Sequence, residues 1–169
     1  MHFLPALAKK TIELYVIEGT RYSLNHEEIP DEFRRQAGVF VCLKTKGILR
    51  GCIGTFQPQQ QTIAHETICN AINAASCDMR FTCVRQEELP DIEYTVDILT
   101  TPEKVAAISE LDPKRYGIIV QAGNKRGLLL PDIEGVDTVD YQVNIAMQKA
   151  GIKPGSFVEL SRFEVQRYQ

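Results

Sequence analysis

The sequence predicts an α+β fold, with mixed or antiparallel sheets flanked by helices. Two observations support this class: strands and helices come in clusters rather than in strict β-α-β alternation, and a hairpin followed by a helix occurs twice, over 38–77 and 115–150. A chain of 169 residues is long enough for one good core or for two small subdomains that share one. The composition, 44% hydrophobic and 24% charged, is that of an ordinary globular protein rather than a disordered or membrane one.

The first half of the chain is predicted to contain a helix, a hairpin and a second helix. Apolar residues recur at helical spacing over 4–16, and Gly19 follows as a C-cap. This N-terminal stretch has no basic leader before its short apolar patch, so it is typical of an amphipathic helix rather than a signal peptide. Two β-rich runs around residues 45–47 indicate a hairpin. Residues 62–77 form the clearest helix because their apolar side chains share one stripe.

The second half is predicted to contain a strand, a helix start, a hairpin, a helix and a last strand. Residues 91–99 alternate between apolar and polar, as a strand does when one face is buried. A helix start is predicted at 101–103, because proline favours the first turn. A second hairpin turns at Gly123-Asn124. A helix over about 138–150 ends before a glycine, and residues 162–168 make the last strand.

Charge and cysteine usage exclude several classes of protein. The five cysteines are an odd number without a CxxC pair, which disfavours a secreted disulfide framework and indicates reduced thiols. A formal net charge of −3 gives no general attraction to nucleic acid or acidic lipid. No apolar run approaches the roughly 18 residues that a spanning helix needs. We therefore expect a cytoplasmic protein without a membrane partner, and the overall charge does not indicate a nucleic-acid partner.

The stretch GILRGCIGTF, residues 47–56, carries the strongest candidate for chemistry. Alternation along a strand places Arg50 and Cys52 on one face, with α-carbons roughly 6.5 to 7 Å apart. A nearby guanidinium favours thiolate over thiol and makes a cysteine nucleophilic. We expect Gly51 to make room for a ligand or partner, and Gly54 to mark a bulge. The alternative is that Cys52 is a small buried hydrophobe and that Arg50 pairs with a carboxylate.

Two other motifs in this region are weaker. The three glycines of the stretch fit neither GxGxxG nor GxxxxGK[ST], and Pro58 prevents an immediate helix, so a phosphate loop is disfavoured. HETIC, residues 65–69, imitates the HExxH zinc helix, but the only other histidines lie near the N-terminus. We therefore expect no metal and no cofactor. His65 is a candidate base for Cys52 only if its helix packs across the cysteine face of the hairpin.

Residues 76–81, SCDMRF, form a second cluster directly after the predicted helix. Asp78 and Arg80 bracket the helix end, and Phe81 can anchor the loop. These residues can be a cap with an ion pair. They can equally offer a carboxylate and a guanidinium at a helix terminus, which is a common place for binding groups.

Several motifs follow one another along the chain: LRGCIGTF, AINAASCDMRF with EEL after it, GLLLP and KAG. In this order they resemble the motifs of the AMMECR-type domain family, whose bacterial and archaeal members are called AmmeMemoRadiSam system protein A. The resemblance runs from about Gly38 to Tyr168. It implies one domain over 1–169, built from two unequal, interleaved subdomains with a cleft between them. The family's motif residues correspond in this sequence to Arg50, Gly51, Cys52, Gly54, Thr55, Asp78, Arg80, Phe81 and Glu88.

The resemblance also implies two partners, a Memo-type protein that resembles ring-opening dioxygenases and a radical SAM protein, but it names no reaction. Two functions stay open. In the first, Cys52 is a thiolate nucleophile or carrier that Arg50 tunes, and Asp78 and Arg80 bind or orient a small molecule, nucleobase or protein side chain. In the second, the same motif forms a non-catalytic groove that holds a ligand or docks the Memo-type partner. Under either function, we expect four residues to lie close together in the folded chain: Arg50, Cys52, Asp78 and Arg80.

Overall fold

A computed structural model describes all 169 residues and shows two antiparallel sheets with helices. The α-helices are α1 (Phe3–Glu18), α2 (Ile63–Ser76) and α3 (Val139–Lys149), and short 3-10 helices lie at His26–Glu28, Asp31–Phe33, Gln86–Asp91 and Ile108–Glu110. The strands are β1 (Val39–Thr45), β2 (Ile48–Thr55), β3 (Ile92–Leu99), β4 (Glu103–Val105), β5 (Gly117–Ala122), β6 (Lys125–Leu129), β7 (Glu159–Phe163) and β8 (Val165–Tyr168). This architecture confirms the predicted α+β class. No helix has the length and apolar character needed to cross a membrane.

The chain divides into two compact units, residues 1–99 with 166–169 and residues 100–165. The first unit contains the sheet of order β2-β1-β3-β8, and the second contains the sheet of order β4-β7-β5-β6. Because the C-terminal strand returns to the first sheet, the two units are interleaved in the sequence. The cleft implied by the family resemblance stays a prediction.

In the first unit, α1 and α2 cover one face of the sheet. Alternate residues of β1 and β3 are buried on that side, as the period-two pattern predicts. The opposite face of the sheet is the one that carries chemistry, and we call it the thiol face. Its side chains include Phe40, Cys42, Cys52, Thr95 and Asp97, which lie opposite one another or on alternate positions of neighbouring strands.

The hairpin of β1 and β2 contains a bulge. Its turn lies at Lys46-Gly47, where φ is 51° and 76°, as a tight two-residue hairpin turn requires. Leu43 lies opposite Gly51, whereas the next residue of β1 lies opposite Leu49. Arg50 is therefore the extra residue of β2 and has no partner on β1. The bulge is at Arg50 and not at Gly54, so that prediction is wrong.

The second unit corrects two predictions. Glu103–Val105 does not begin a helix but forms β4, the edge strand that pairs with β7. Pairing with a distant strand outweighs the local signal of the proline before it. The predicted last strand is divided at Glu164, since β7 and β8 belong to different sheets. The hairpin turn at Gly123-Asn124 and the helix α3 are confirmed, and Gly151 after α3 has a φ of 63°.

Candidate functional site

Two thiols lie side by side on the thiol face. Cys42 and Cys52 are directly opposite each other in β1 and β2, and both are half-buried. The bulge at Arg50 creates this pair. Regular pairing from the turn would place Cys52 opposite Val41, on the face that the helices cover. Sequence reasoning found Cys52 and missed Cys42, because the glycines indicated a bulge at Gly54 and nothing in the residue pattern places it at Arg50.

The loop after α2 is bonded to the outer edge of β2 at Cys52. The Cys52 backbone N–H donates to Asp78 Oδ2 at 2.9 Å, and Arg80 Nη2 donates to the Cys52 carbonyl at 3.3 Å. Arg80 also binds the Asp78 carboxylate through Nε at 2.9 Å and Nη2 at 2.7 Å. Because β2 is an edge strand, these side chains satisfy backbone groups that have no strand partner. The Asp78–Arg80 pair therefore fixes the position of Cys52.

Arg50 is engaged with a different carboxylate. Its Nε donates to Glu88 Oε1 at 2.7 Å and its Nη2 donates to Oε2 at 3.1 Å. The hydrogen bond from Arg50 is the main reason that the pKa of Glu88 is lowered to about 2. The alternative in which Arg50 pairs with a carboxylate is the one that the structure shows, and the hypothesis that Arg50 tunes Cys52 is wrong. The bulge explains the difference, since it re-aims the side chain of the extra residue.

Phe81 lies near both guanidinium groups. Its ring centroid is 5.9 Å from Arg50 Cζ and 5.5 Å from Arg80 Cζ, within the range of cation–π attraction. Through this ring, the Arg50–Glu88 pair and the Asp78–Arg80 pair lie next to each other. The structure thus brings the two predicted segments together beside the thiol pair.

The two thiols have opposite pKa shifts. The hydrogen bond from Cys52 lowers the pKa of Cys42. The same hydrogen bond, followed by burial, raises the pKa of Cys52, and the guanidinium of Arg80 opposes this rise only in part. Of the two thiols, Cys42 is therefore the one that loses its proton first. The prediction of a lowered pKa at Cys52 is wrong.

Neither glycine of the motif leaves space for a ligand. Gly51 lies beneath α2, where an added Cβ would come within 3.0 Å of the Ala74 carbonyl oxygen. Gly54 does lie on the thiol face, but an added Cβ would come within 3.0 Å of the Phe40 ring that covers it. The expectation that Gly51 makes room beside Cys52 is therefore wrong, because a helix backbone occupies that space.

Sequence reasoning missed Glu66, a buried carboxylate in α2 that is 1% exposed. It accepts the Thr55 hydroxyl at 2.6 Å and the backbone N–H groups of residues 59–60 at 2.7 and 2.8 Å. Thr55 thus faces α2 and not the thiols.

His65 is bonded to Thr62 at 2.8 Å on that same side of the sheet, so it is not a base for Cys52. Cys69, which stands where HExxH has its second histidine, accepts a hydrogen bond from Arg21 on its sulfur.

A second buried carboxylate, Asp97, lies on the thiol face and was also missed. It is 3% exposed and accepts two hydrogen bonds from Arg167, at 2.8 and 2.9 Å. From the sequence, Asp97 was assigned only to the polar side of its strand. Its partner is 70 residues away in the chain, so no local signal pointed to the pair.

The second unit contains a cavity of about 470 Å³. Tyr116 lies between two arginines there, 4.9 Å from Arg115 Cζ and 4.5 Å from Arg162 Cζ. Each arginine is paired with a carboxylate, Arg115 with Glu164 at 2.6 Å and Arg162 with Glu103 at 3.5 Å. Because the charges are neutralised within the cavity, its lining does not select a class of ligand.

Acid should weaken the contact between the loop and β2. The hydrogen bond from Arg80 lowers the pKa of Asp78 to about 2. Because the unfolded value is about 3.9, this contact stabilises the fold above about pH 4 and is lost as pH falls toward 2. We expect this contact to contribute about 1 to 2 kcal/mol to the free energy of unfolding. This is less than the pKa shift alone implies, because the Arg80 side chain is 58% exposed and solvent screens the pair.

Urea unfolding of Asp78→Asn at pH 7 and pH 3 measures this contribution. The variant should be less stable than the parent protein at pH 7, and the difference should shrink at pH 3. The exposed Asp91, changed to Asn, serves as the control. Equal pH dependence in the parent protein and Asp78→Asn would contradict the assignment.

Comparison with known proteins identifies relatives over almost the whole chain. The family model AMMECR1 matches residues 5–169. A protein of Thermotoga maritima is 54% identical over 165 residues, covering 96% of this chain and 94% of that protein. A protein of Clostridium acetobutylicum is 45% identical over 168 residues, but this chain spans only 35% of its length.

A solved structure shows the same fold. The crystal structure of an uncharacterised protein of Pyrococcus horikoshii superposes with a TM-score of 0.89 at 30% sequence identity. The match covers 98% of this chain and 88% of that one. Given the family match and these relatives, the chain belongs to the AMMECR1 family.

Proposed function

We propose that this protein acts in the modification of a small molecule, a nucleobase or a protein side chain, and that the Cys42–Cys52 pair supplies its reactive thiol. Its partners in this proposal are a Memo-type dioxygenase-like protein and a radical SAM protein, and it acts in the cytoplasm. The proposal is supported by one observation above all. The two motif segments that suggested the family meet beside two thiols that lie directly opposite each other on neighbouring strands.

The chemistry available to this pair is nucleophilic. The Cys42 thiolate attacks an electrophilic carbon of the substrate, so that an Sγ–C bond forms, and the leaving group departs with the bonding electrons and takes the proton of the Cys52 thiol. An acceptor amine or hydroxyl then displaces the sulfur, and its proton restores the thiol. Arg80, with its side chain 58% exposed, offers a guanidinium beside Cys52 that attracts an anionic group of the substrate.

Profiling of small molecules and modified nucleosides by mass spectrometry tests this function. A strain that lacks the gene is complemented with the parent sequence, Cys42→Ala, Cys52→Ala or the control Cys77→Ala, which removes an exposed thiol. A species lost from the deletion strain should return with the parent sequence and with Cys77→Ala only. Full restoration by both Cys42→Ala and Cys52→Ala would overturn the thiol mechanism.

A second candidate is a non-catalytic module that binds a ligand or docks the Memo-type partner. It is favoured by the pairing of Arg50, Asp78 and Glu88, whose charges hold the loops in place and are not free for acid–base chemistry. Under this alternative, Arg80→Glu should reduce capture of the Memo-type partner about tenfold, equivalent to about 1.4 kcal/mol. The exposed Arg35, changed to Glu, is the charge-matched control. Equal capture by both variants would reject docking at this face.

A further inference from the structure

Cys42 and Cys52 occupy positions that a disulfide can bridge. They are directly opposite in adjacent antiparallel strands. The Cys52 N–H and carbonyl are bonded to Asp78 and Arg80 on the outer side of β2, so the pair is of the non-hydrogen-bonded kind. The α-carbons of such pairs are about 4.5 Å apart, within the range of about 4.4 to 6.8 Å that disulfides span. Because the two residues are direct partners in the register, their side chains lie on the same face of the sheet, beside each other.

We propose that Cys42 and Cys52 form a reversible two-electron redox couple that exchanges with a low-molecular-weight disulfide, RSSR. The Cys42 thiolate attacks one sulfur of RSSR, which forms a mixed disulfide on Cys42 and releases one thiolate. Cys52 gives its proton to that thiolate and attacks the Cys42 sulfur, which forms the cross-strand bond and releases the second thiolate. With the proton that Cys42 lost earlier, the protein gives up two electrons and two protons, and RSSR becomes two RSH.

The surroundings of the pair assign a role to each cysteine. The hydrogen bond from Cys52 lowers the pKa of Cys42, which makes Cys42 the attacking thiolate. Cys52 remains protonated beside it and resolves the mixed disulfide. Both cysteines are half-buried rather than enclosed, so a small thiol can reach the bond and reduce it. This makes the couple reversible rather than a permanent cross-link.

Two of the other three cysteines lie close together, beside Ser76. Cys83 donates to the Ser76 carbonyl, and Cys77 lies 3.5 Å from the Ser76 hydroxyl. Both are exposed near one residue, so they are the competing source of a disulfide in any oxidation experiment. The inference does not depend on the proposed function, since it requires neither a substrate nor a protein partner.

The test uses the full chain, reduced and then equilibrated with mixtures of oxidised and reduced glutathione. After acid quenching and alkylation, peptide mapping should find a Cys42–Cys52 cross-link that increases with the oxidised fraction and is reversed by reduced glutathione. Cys52→Ser should instead accumulate glutathione on Cys42, because the resolving thiol is gone. The double variant with serine at Cys77 and Cys83 should retain the cross-link.

The absence of a Cys42–Cys52 cross-link at every glutathione ratio, in both the parent protein and the double serine variant, would overturn the proposal. A cross-link that forms but resists reduced glutathione would also overturn it, since the bond would then be structural. Thermal unfolding of each variant establishes that it is folded. Neither result bears on the cellular profiling of Cys42→Ala and Cys52→Ala, so failure of this inference and failure of the proposed function are distinguishable.

Discussion

Gly51→Ala should lower the melting temperature by roughly 6 to 12 °C, which corresponds to a loss of about 3 kcal/mol in a chain of this size. The added methyl group would come within 3.0 Å of the Ala74 carbonyl oxygen in α2. Since the obstacle is helix backbone, no change of side-chain rotamer can relieve the overlap. Either α2 or β2 must shift, and both contribute to the buried core. Thermal unfolding measures the effect.

Gly54→Ala in the same strand is the matched control. Its added methyl group meets Cγ and the adjoining ring carbons of Phe40, a half-buried side chain that must turn about χ1 to give way, whereas no backbone has to move. We expect a smaller loss of about 1 kcal/mol there. An equal or smaller loss for Gly51→Ala than for Gly54→Ala would show that α2 does not rest on the Gly51 backbone.

Glu66→Gln should cost about 3 kcal/mol although it preserves the size of the side chain. The buried carboxylate accepts one hydroxyl and two backbone N–H groups. A carboxamide supplies only one oxygen and turns an NH₂ group toward these donors, so at least one buried donor loses its partner. Hydrogen exchange at the amides of residues 59–60 should accelerate together with the loss in melting temperature.

The control for this change is Glu13→Gln on α1. Glu13 is 39% exposed and forms a 3.8 Å ion pair with Lys9, which is worth less than about 0.5 kcal/mol. A loss of stability in Glu66→Gln no larger than that of this control, together with unchanged hydrogen exchange at residues 59–60, would show that the Glu66 carboxylate does not hold residues 59–60 to α2.

Local signals predicted most of the regular structure. The first two helices follow from apolar spacing, the end of the third follows from Gly151, and the turns at Lys46-Gly47 and Gly123-Asn124 follow from their residues. The strand Ile92–Leu99 follows from strict alternation. In each case the information lies within one element, so a single sequence is sufficient.

The candidate site was predicted only in part, because its geometry depends on contacts between distant segments. The meeting of Cys52 with Asp78 and Arg80 came from a family resemblance and not from spacing. Cys42 was missed because its side chain becomes relevant only through its register with β2. The assignment of Arg50 to the thiol failed because a carboxylate 38 residues further along the chain binds it instead.

The bulge makes the chemistry of this stretch depend on parity. In a regular strand, the face on which a side chain lies is set by whether it is an odd or an even number of residues from the turn. Arg50 adds one to that number, so every residue from Gly51 to Thr55 takes the face opposite to the one that regular pairing from the turn dictates. A substitution at position 50 removes a charge and leaves the parity intact. A deletion of that one residue would remove the bulge and keep Cys52 opposite Cys42, because Gly51 would then follow Leu49 directly and pair with Leu43 in regular register.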